Sequence, residues 1–210
     1  MFRFPMATVV AASALGTVAH ADFVQFDGEY SVNSQGNNVV KMYAEFDDAQ
    51  NVLLNMFDVV IEGDFIHSDV QIGAGGTWNP TASLDIPGFS DSENDSYVTA
   101  GYGVGAEAAL NGTALDPNFL NGNGGLGSTI PTDAGWYNGN PGFNVTGTRI
   151  LIGQFVYADG LDFAFTGKIG YKESDASSEV GFGEGTWAVP SPGALALLGL
   201  SALVARRRRG

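Results

Sequence analysis

Between positions 22 and 187 hydrophobic and polar residues alternate with a period of two over many short runs. Val40, Met42, Ala44 and Phe46 alternate with Lys41, Tyr43 and Glu45, which predicts a strand with one buried face. Leu53–Ile61 predicts another, with Phe57, Val59 and Ile61 on one side, and Phe65–Ile72 reads as its partner across the turn Glu62-Gly63-Asp64. Ser96–Tyr102, Ile150–Tyr157, Leu161–Tyr171 and Val180–Trp187 share this β-branched and aromatic character, and Phe23–Phe26 and Glu29–Val32 predict the first strands. Asp159-Gly160, between two such runs, is a hairpin signal, because a two-residue turn takes residues that tolerate positive φ. No long stretch carries a helical stripe. The pattern predicts an all-β body of about eight or nine strands arranged as a two-sheet antiparallel β-sandwich, jelly-roll-like in its turn density.

One segment breaks the rhythm. Gly103–Gly147 is rich in Gly and Asn, including Asn121-Gly122-Asn123-Gly124-Gly125 and Asn138-Gly139-Asn140-Pro141-Gly142, and predicts a long loop. Ala106–Leu110 is long enough for one helical turn. Phe119, Trp136, Tyr137 and Phe143 are poor linker residues, so the loop is expected to be pinned against a sheet by its aromatics.

The two ends have a different texture. Residues 1–21 hold Arg3, an apolar region from Met6 to Val18, and Ala19-His20-Ala21 before Asp22, the layout of a secretory signal peptide with an A-x-A cleavage site at Ala19 and Ala21. Residues 188–210 hold Pro190-Ser191-Pro192, an uncharged run Gly193–Ala205, and Arg206-Arg207-Arg208-Arg209. At about 1.5 Å per residue that run forms a helix of roughly 20 Å, shorter than the ~30 Å hydrocarbon core of a bilayer. The arginines orient it with its C-terminal end in the cytoplasm. The expected organisation is therefore a signal helix (1–21), a β domain (22–187) and a tail with a short transmembrane helix (188–210).

The tail resembles the PEP-CTERM sorting signal, with Ser191 standing where the family usually has Glu. Asp95-Ser96-Tyr97-Val98-Thr99-Ala100-Gly101, Leu115-Asp116-Pro117-Asn118-Phe119, Gly135-Trp136-Tyr137-Asn138 and Gln154-Phe155-Val156 are similar, in the same order, to segments of exported PEP-CTERM proteins of unassigned activity. The resemblance implies handling by signal peptidase and an exosortase-like enzyme. It also implies transient insertion in the inner membrane, then delivery to the cell surface or extracellular matrix of an exopolysaccharide-producing Gram-negative bacterium. Pro190, Ser191, Pro192 and Arg206, Arg207, Arg208, Arg209 are the residues that match the sorting motif. The family supplies no chemistry for the body.

Charge and composition narrow the body's chemistry. All 23 carboxylates fall between Asp22 and Glu184, against Lys41, Arg149, Lys168 and Lys172, so the body carries 4 − 23 = −19. Such a surface repels nucleic acid and anionic headgroups. The absence of cysteine rules out thiol catalysis and cysteine-based metal sites. His67 is the body's one histidine, and no G-x-S-x-G motif accompanies it.

Three candidate chemistries remain. Asp91, Glu93 and Asp95 place oxygen ligands at alternate positions, as a calcium loop does, but Ser96 stands where that loop needs Gly and Tyr102 where it needs a bidentate Glu. A Ca2+ site and a solvated turn are both open readings, and no other cofactor is expected. Trp78, between Gly75-Gly76 and Asn79-Pro80, is the best loop-borne face for a sugar ring, with Trp136 and Tyr137 as further glycan contacts. A glycoside hydrolase needs two carboxylates about 5–9 Å apart, and no pair is marked. The first expectation is an exported, non-enzymatic protein of the cell surface or matrix with a structural or adhesive role. A carbohydrate-binding β-sandwich module is the alternative, and a secreted glycoside hydrolase the less favoured one.

Overall fold

In the computed structural model the described residues are 22–68, 78–79, 91–103, 112–123, 125–158 and 160–189. The signal region with Ala19 and Ala21, the sorting motif Pro190-Ser191-Pro192 and Arg206–Arg209 lie outside them, as does the helical turn expected at Ala106–Leu110.

The body is almost entirely β. Its strands are β1 (Phe23–Val32), β2 (Asn38–Phe46), β3 (Val52–Ile61), β4 (Tyr97–Gly101), β5 (Thr113–Leu115), β6 (Ala134–Asn138), β7 (Arg149–Tyr157), β8 (Ala164–Lys172) and β9 (Gly181–Ala188). A 3-10 turn at Ser92–Asn94 and a short helix α1 (Pro117–Asn123) are the helical elements among the described residues. The strands form two antiparallel sheets, sheet A in the order β1-β2-β7-β4 and sheet B in the order β5-β6-β3-β8-β9. β9 ends at Ala188, one residue beyond the boundary read from the sequence, and the amide of Val189 donates to the Phe163 carbonyl.

Inner faces of both sheets contribute to one apolar core. β2 turns Val40, Met42, Ala44 and Phe46 inward, as its alternation predicts. Aromatic rings bridge the sheets: Phe26 of β1 meets Phe165 of β8 at 4.9 Å between centroids, and Phe46 of β2 meets Tyr171 of β8 at 5.4 Å. Each buried phenylalanine contributes about 1.5–3 kcal/mol, and each ring pair about 0.5–1.5 kcal/mol more.

The edge strands β1 and β9 close one side of this core through a fit of rings against glycines. In β9 the residues Gly181, Gly183 and Gly185 fall on the inward side. A Cβ at Gly183 would strike the ring of Phe23, and one at Gly185 would come within 3.1 Å of Phe26. The relation reverses at the far end, where Trp187 of β9 covers Gly28 of β1 so closely that a Cβ there would sit 2.5 Å from the indole.

Four strand-level expectations need correction. Phe23–Val32 is one continuous strand instead of two. The described part of Phe65–Ile72 is not a strand beside β3, because β6 and β8 already take both edges of β3. Phe65 and Ile66 instead donate to the carbonyls of Ser128 (2.8 Å) and Val156 (2.7 Å). The runs flanking Asp159-Gly160 do not form a hairpin, since β7 belongs to sheet A and β8 to sheet B. The loop expected at Gly103–Gly147 contains β5, α1 and β6, of which Phe119 and Trp136 are buried as predicted while Tyr137 and Phe143 are exposed.

A fifth difference sets the orientation of one ring. Asp58 has φ 48°, and the register shifts there against both neighbours of β3. This bulge interrupts the alternation, so Val59 and Ile61 stay in the core while Phe57 turns to the outer side of sheet B, against Phe182 of β9 (6.2 Å, edge-to-face).

Gly183→Ala forces its new methyl into Phe23, and overpacking of this kind costs about 1–3 kcal/mol. Urea denaturation of Gly183→Ala, Phe23→Ala and the double variant is expected to show strong non-additivity, the second substitution costing less once the first is present. A second outcome concerns alkaline pH. Burial, with help from Tyr30 and Asp162, pushes the Tyr157 phenol up from 10.0 to about 12. The neutral phenol is therefore favoured by the fold, and its contribution is complete below pH 10 and lost as pH rises toward 12. Unfolding free energy measured across that window is expected to fall, and Tyr157→Phe to flatten the decline.

Candidate functional site

Consecutive residues of a strand face opposite ways, and β6 separates two neighbouring aromatics on this basis. Trp136 points into the core with 0% exposure, and its Nε1–H donates to the Thr99 carbonyl at 3.0 Å. Tyr137, next to it, lies on the outer side with 43% exposure. Trp78 is also fully buried, its Nε1–H donating to Gly127 at 3.1 Å and its ring stacked on His67 at 4.3 Å. The glycan contacts expected at Trp78 and Trp136 are thus corrected: both indoles are consumed by packing and have no face open to a sugar. Of the three, Tyr137 alone is presented to solvent.

The acidic triplet is engaged in structural hydrogen bonds. Asp91 caps the 3-10 turn by accepting from the Glu93 amide (3.1 Å) and from Gln35 Nε2 (2.7 Å). Glu93 accepts from the amide and hydroxyl of Ser34 at the β1–β2 turn. Asp95 accepts from the Ser68 amide (2.7 Å) and lies 3.2 Å from His67 Nδ1. Asp91 and Glu93 both bond to the β1–β2 turn, at Gln35 and Ser34, whereas Asp95 bonds to Ser68 and His67, and no group of three or more metal-binding side chains occurs among the described residues. His67 Nδ1, which donates to the Ser96 carbonyl at 2.7 Å, belongs to the same brace.

The outer side of sheet B holds a different arrangement. Tyr137, Asn55, Gly170 and Phe182 are successive partners across β6, β3, β8 and β9 and so form one lateral row. Phe182 is 69% exposed, the most solvent-facing large apolar side chain among the described residues. Phe57 stands beside it, brought out by the Asp58 bulge. Gly170 forms the floor between Asn55 and Phe182: a Cβ at Gly170 would collide with the Asn55 amide and lie 3.7 Å from the Phe182 ring. Three strand spacings separate Tyr137 from Phe182, or about 14 Å.

Charge on this side is mixed, with Asp133 near Lys168 and Asp116 over Gly135. Lys168 and Lys172 of β8 flank Gly170 on the outer side, and Asp58 and Glu184 lie on the neighbouring strands. Lys168 Nζ donates to Asp58 at 2.9 Å, and that hydrogen bond holds the ammonium above its ordinary pKa. The outer side of sheet A is built otherwise. There Arg149 donates to Glu29 (2.7 Å) and Asp27 (2.9 Å) and lies over the Tyr43 ring at 3.6 Å. Burial alone would lower the Arg149 pKa, but the bonds from Asp27 and Glu29 outweigh it and raise the value. The guanidinium, held by these two carboxylates, covers the Tyr43 ring.

Phe57, Phe182 and Asn55 are not among the site candidates read from the sequence, where Phe57 is expected on one side with Val59 and Ile61. A signal for Phe182 was present: in Gly181-Phe182-Gly183-Glu184-Gly185 every other residue is glycine. When the small residues take the inner side, the large ones must face outward.

No family model, curated protein or solved structure gives a significant match to this chain. Fold and site together define a two-sheet antiparallel β protein with an exposed aromatic row on its five-stranded sheet.

The opposite roles of Trp136 and Tyr137 are separable by substitution. Trp136→Ala is expected to cost about 3–5 kcal/mol, and Tyr137→Ala to stay within about 0.5 kcal/mol of wild type, both read from chemical denaturation. Equal losses would place Tyr137 in the core's account instead.

Proposed function

We propose that this chain is an exported, non-enzymatic protein of the cell surface or extracellular matrix, with an adhesive or structural role. The body is read as a β-sandwich of sheets A and B. The connections β2–β3, β3–β4, β4–β5, β6–β7 and β7–β8 pass from one sheet to the other. That habit favours the jelly-roll-like description, although β1–β2, β5–β6 and β8–β9 stay within a sheet.

The observation that supports adhesion is the outer side of sheet B, where Phe182 and Tyr137 stand in solvent at positions that alternation ordinarily gives to polar residues. Export and sorting rest on the sequences of residues 1–21 and 188–210, read as address labels for signal peptidase and an exosortase-like enzyme. The body charge of −19 keeps an exported protein soluble and turns it away from nucleic acid. A carbohydrate-binding module is the second reading, favoured by the same exposed rings.

Fractionation of the producing cell, followed by intact-mass measurement, tests the proposal. The protein is expected outside the cytoplasm with a new N-terminus at Asp22 and a C-terminus cut near Pro190. Recovery of the unprocessed chain from the cytoplasm alone would reject export and sorting together.

A further inference from the structure

We infer that the row Tyr137–Asn55–Gly170–Phe182, with Phe57 beside it, is a two-subsite binding surface for an electrically neutral polysaccharide chain. The inference rests on the adhesive reading above and names its ligand class and contact residues.

The geometry suits an extended sugar polymer. A pyranose ring has an apolar face of C–H groups and an equator of hydroxyls, so its binding needs a flat aromatic surface together with nearby hydrogen-bonding groups. Phe182 and Phe57 form one aromatic contact, at right angles to each other (89°), and Tyr137 forms another about 14 Å away. Between them the surface is low, because Gly170 has no side chain, and polar, because Asn55 contributes its amide. A chain laid across β6, β3, β8 and β9 meets a ring, an amide over a shallow floor, and a second ring pair. The strands beneath are held by the core, so the contacts are pre-positioned on a rigid element.

Charge selects among polymers. The body's −19 repels a polyanion at long range. At the site Lys168 and Lys172 stand on either side of Gly170 and disfavour a polycation, while Asp58 and Glu184 balance them. With Asp133 near Lys168 and Asp116 over Gly135, both signs are interspersed on this side, so no stretch of one sign is offered to a charged polymer, and a ligand without charge fits best. Hydroxyls also suit a surface that keeps its own ions paired, as Lys168 and Asp58 are.

The test uses the mature body, residues 22–189, after thermal unfolding has shown that it folds cooperatively, or the full chain in detergent if it does not. Affinity electrophoresis is run through gels containing a neutral glucan, alginate as a polyanion, or chitosan as a polycation. Retardation is expected in neutral glucan alone, unchanged by added salt because no ion pairs form. Phe182→Ala and Tyr137→Ala are each expected to weaken it by roughly tenfold. Phe143→Ala, which removes an exposed ring outside the row, is expected to leave it intact. Calorimetry with oligosaccharides should show tight binding only for chains long enough to reach both subsites.

Failures are distinguishable. Retention in alginate or chitosan in preference to the neutral glucan overturns the ligand class. Neutral-glucan binding that survives Phe182→Ala and Tyr137→Ala overturns the site and leaves a glycan-binding role standing elsewhere on the molecule. Binding to none of the polymers rejects the glycan ligand, and a dimer in sedimentation equilibrium that Phe182→Ala dissociates would assign the row to a second copy of this chain. Both leave export and surface location to the fractionation result.

Discussion

Phe26 packs on Phe165 across the space between two sheets, and contacts of this type hold the molecule together. With no cysteine in the chain, cohesion has to come from buried apolar surface and from backbone pairing within each sheet. Rings reach across that space only if the opposing strand yields room. β9 yields it by placing glycine at every inward position before Trp187, and β1 does the same once, at Gly28. The contacts Phe23 with Gly183, Phe26 with Gly185 and Gly28 with Trp187 advance together along both strands. β1 and β9 therefore run side by side in the same direction, and the chain enters the body at one end of this seam and leaves β9 at the other.

How much of this was legible in the sequence depends on whether the cause was local. Strand β2 was readable because its four inward residues and three outward ones report a single half-buried face. Asp159-Gly160 misled because turn chemistry specifies that the chain reverses, whereas the partner of a strand is chosen by burial over the whole body. Here β7 belongs to sheet A and β8 to sheet B. Trp78 misled for a related reason. Gly, Asn and Pro neighbours suggest an open loop, yet the ring is still driven inward where His67, Phe65 and Phe119 offer a place for it. Strands β5 and β6 were hidden by the Gly- and Asn-rich composition around them, since three to five residues give too short a pattern to stand out.

The candidate site was less legible than the fold, and the bulge at Asp58 explains most of the difference. Strict alternation puts Phe57 with Val59 and Ile61. One residue in the left-handed region, tolerated by Asp better than by most side chains, shifts the count so that Phe57 faces outward. Its carboxylate then lies on the outer surface, where it pairs with Lys168. A single backbone feature thus supplies both a ring and a charge to the same surface, and neither is visible in a pattern that assumes regular pleating.

Placing exposed rings on a sheet carries a hazard, because flat apolar surface invites association. Two features of this molecule oppose it. The rings are dispersed along a row interrupted by Asn55 and Gly170 instead of forming a continuous patch. Of the 23 carboxylates, Asp27, Glu29, Glu45, Asp58 and Glu184 are on strands and the rest fall outside them, so the body's charge of −19 opposes the approach of a second copy. The acidity opposes self-association at long range, and the rings are apolar surface within that acidic body. On the binding proposal above, the same two features would keep copies of the chain apart and leave the rings open to a ligand without charge.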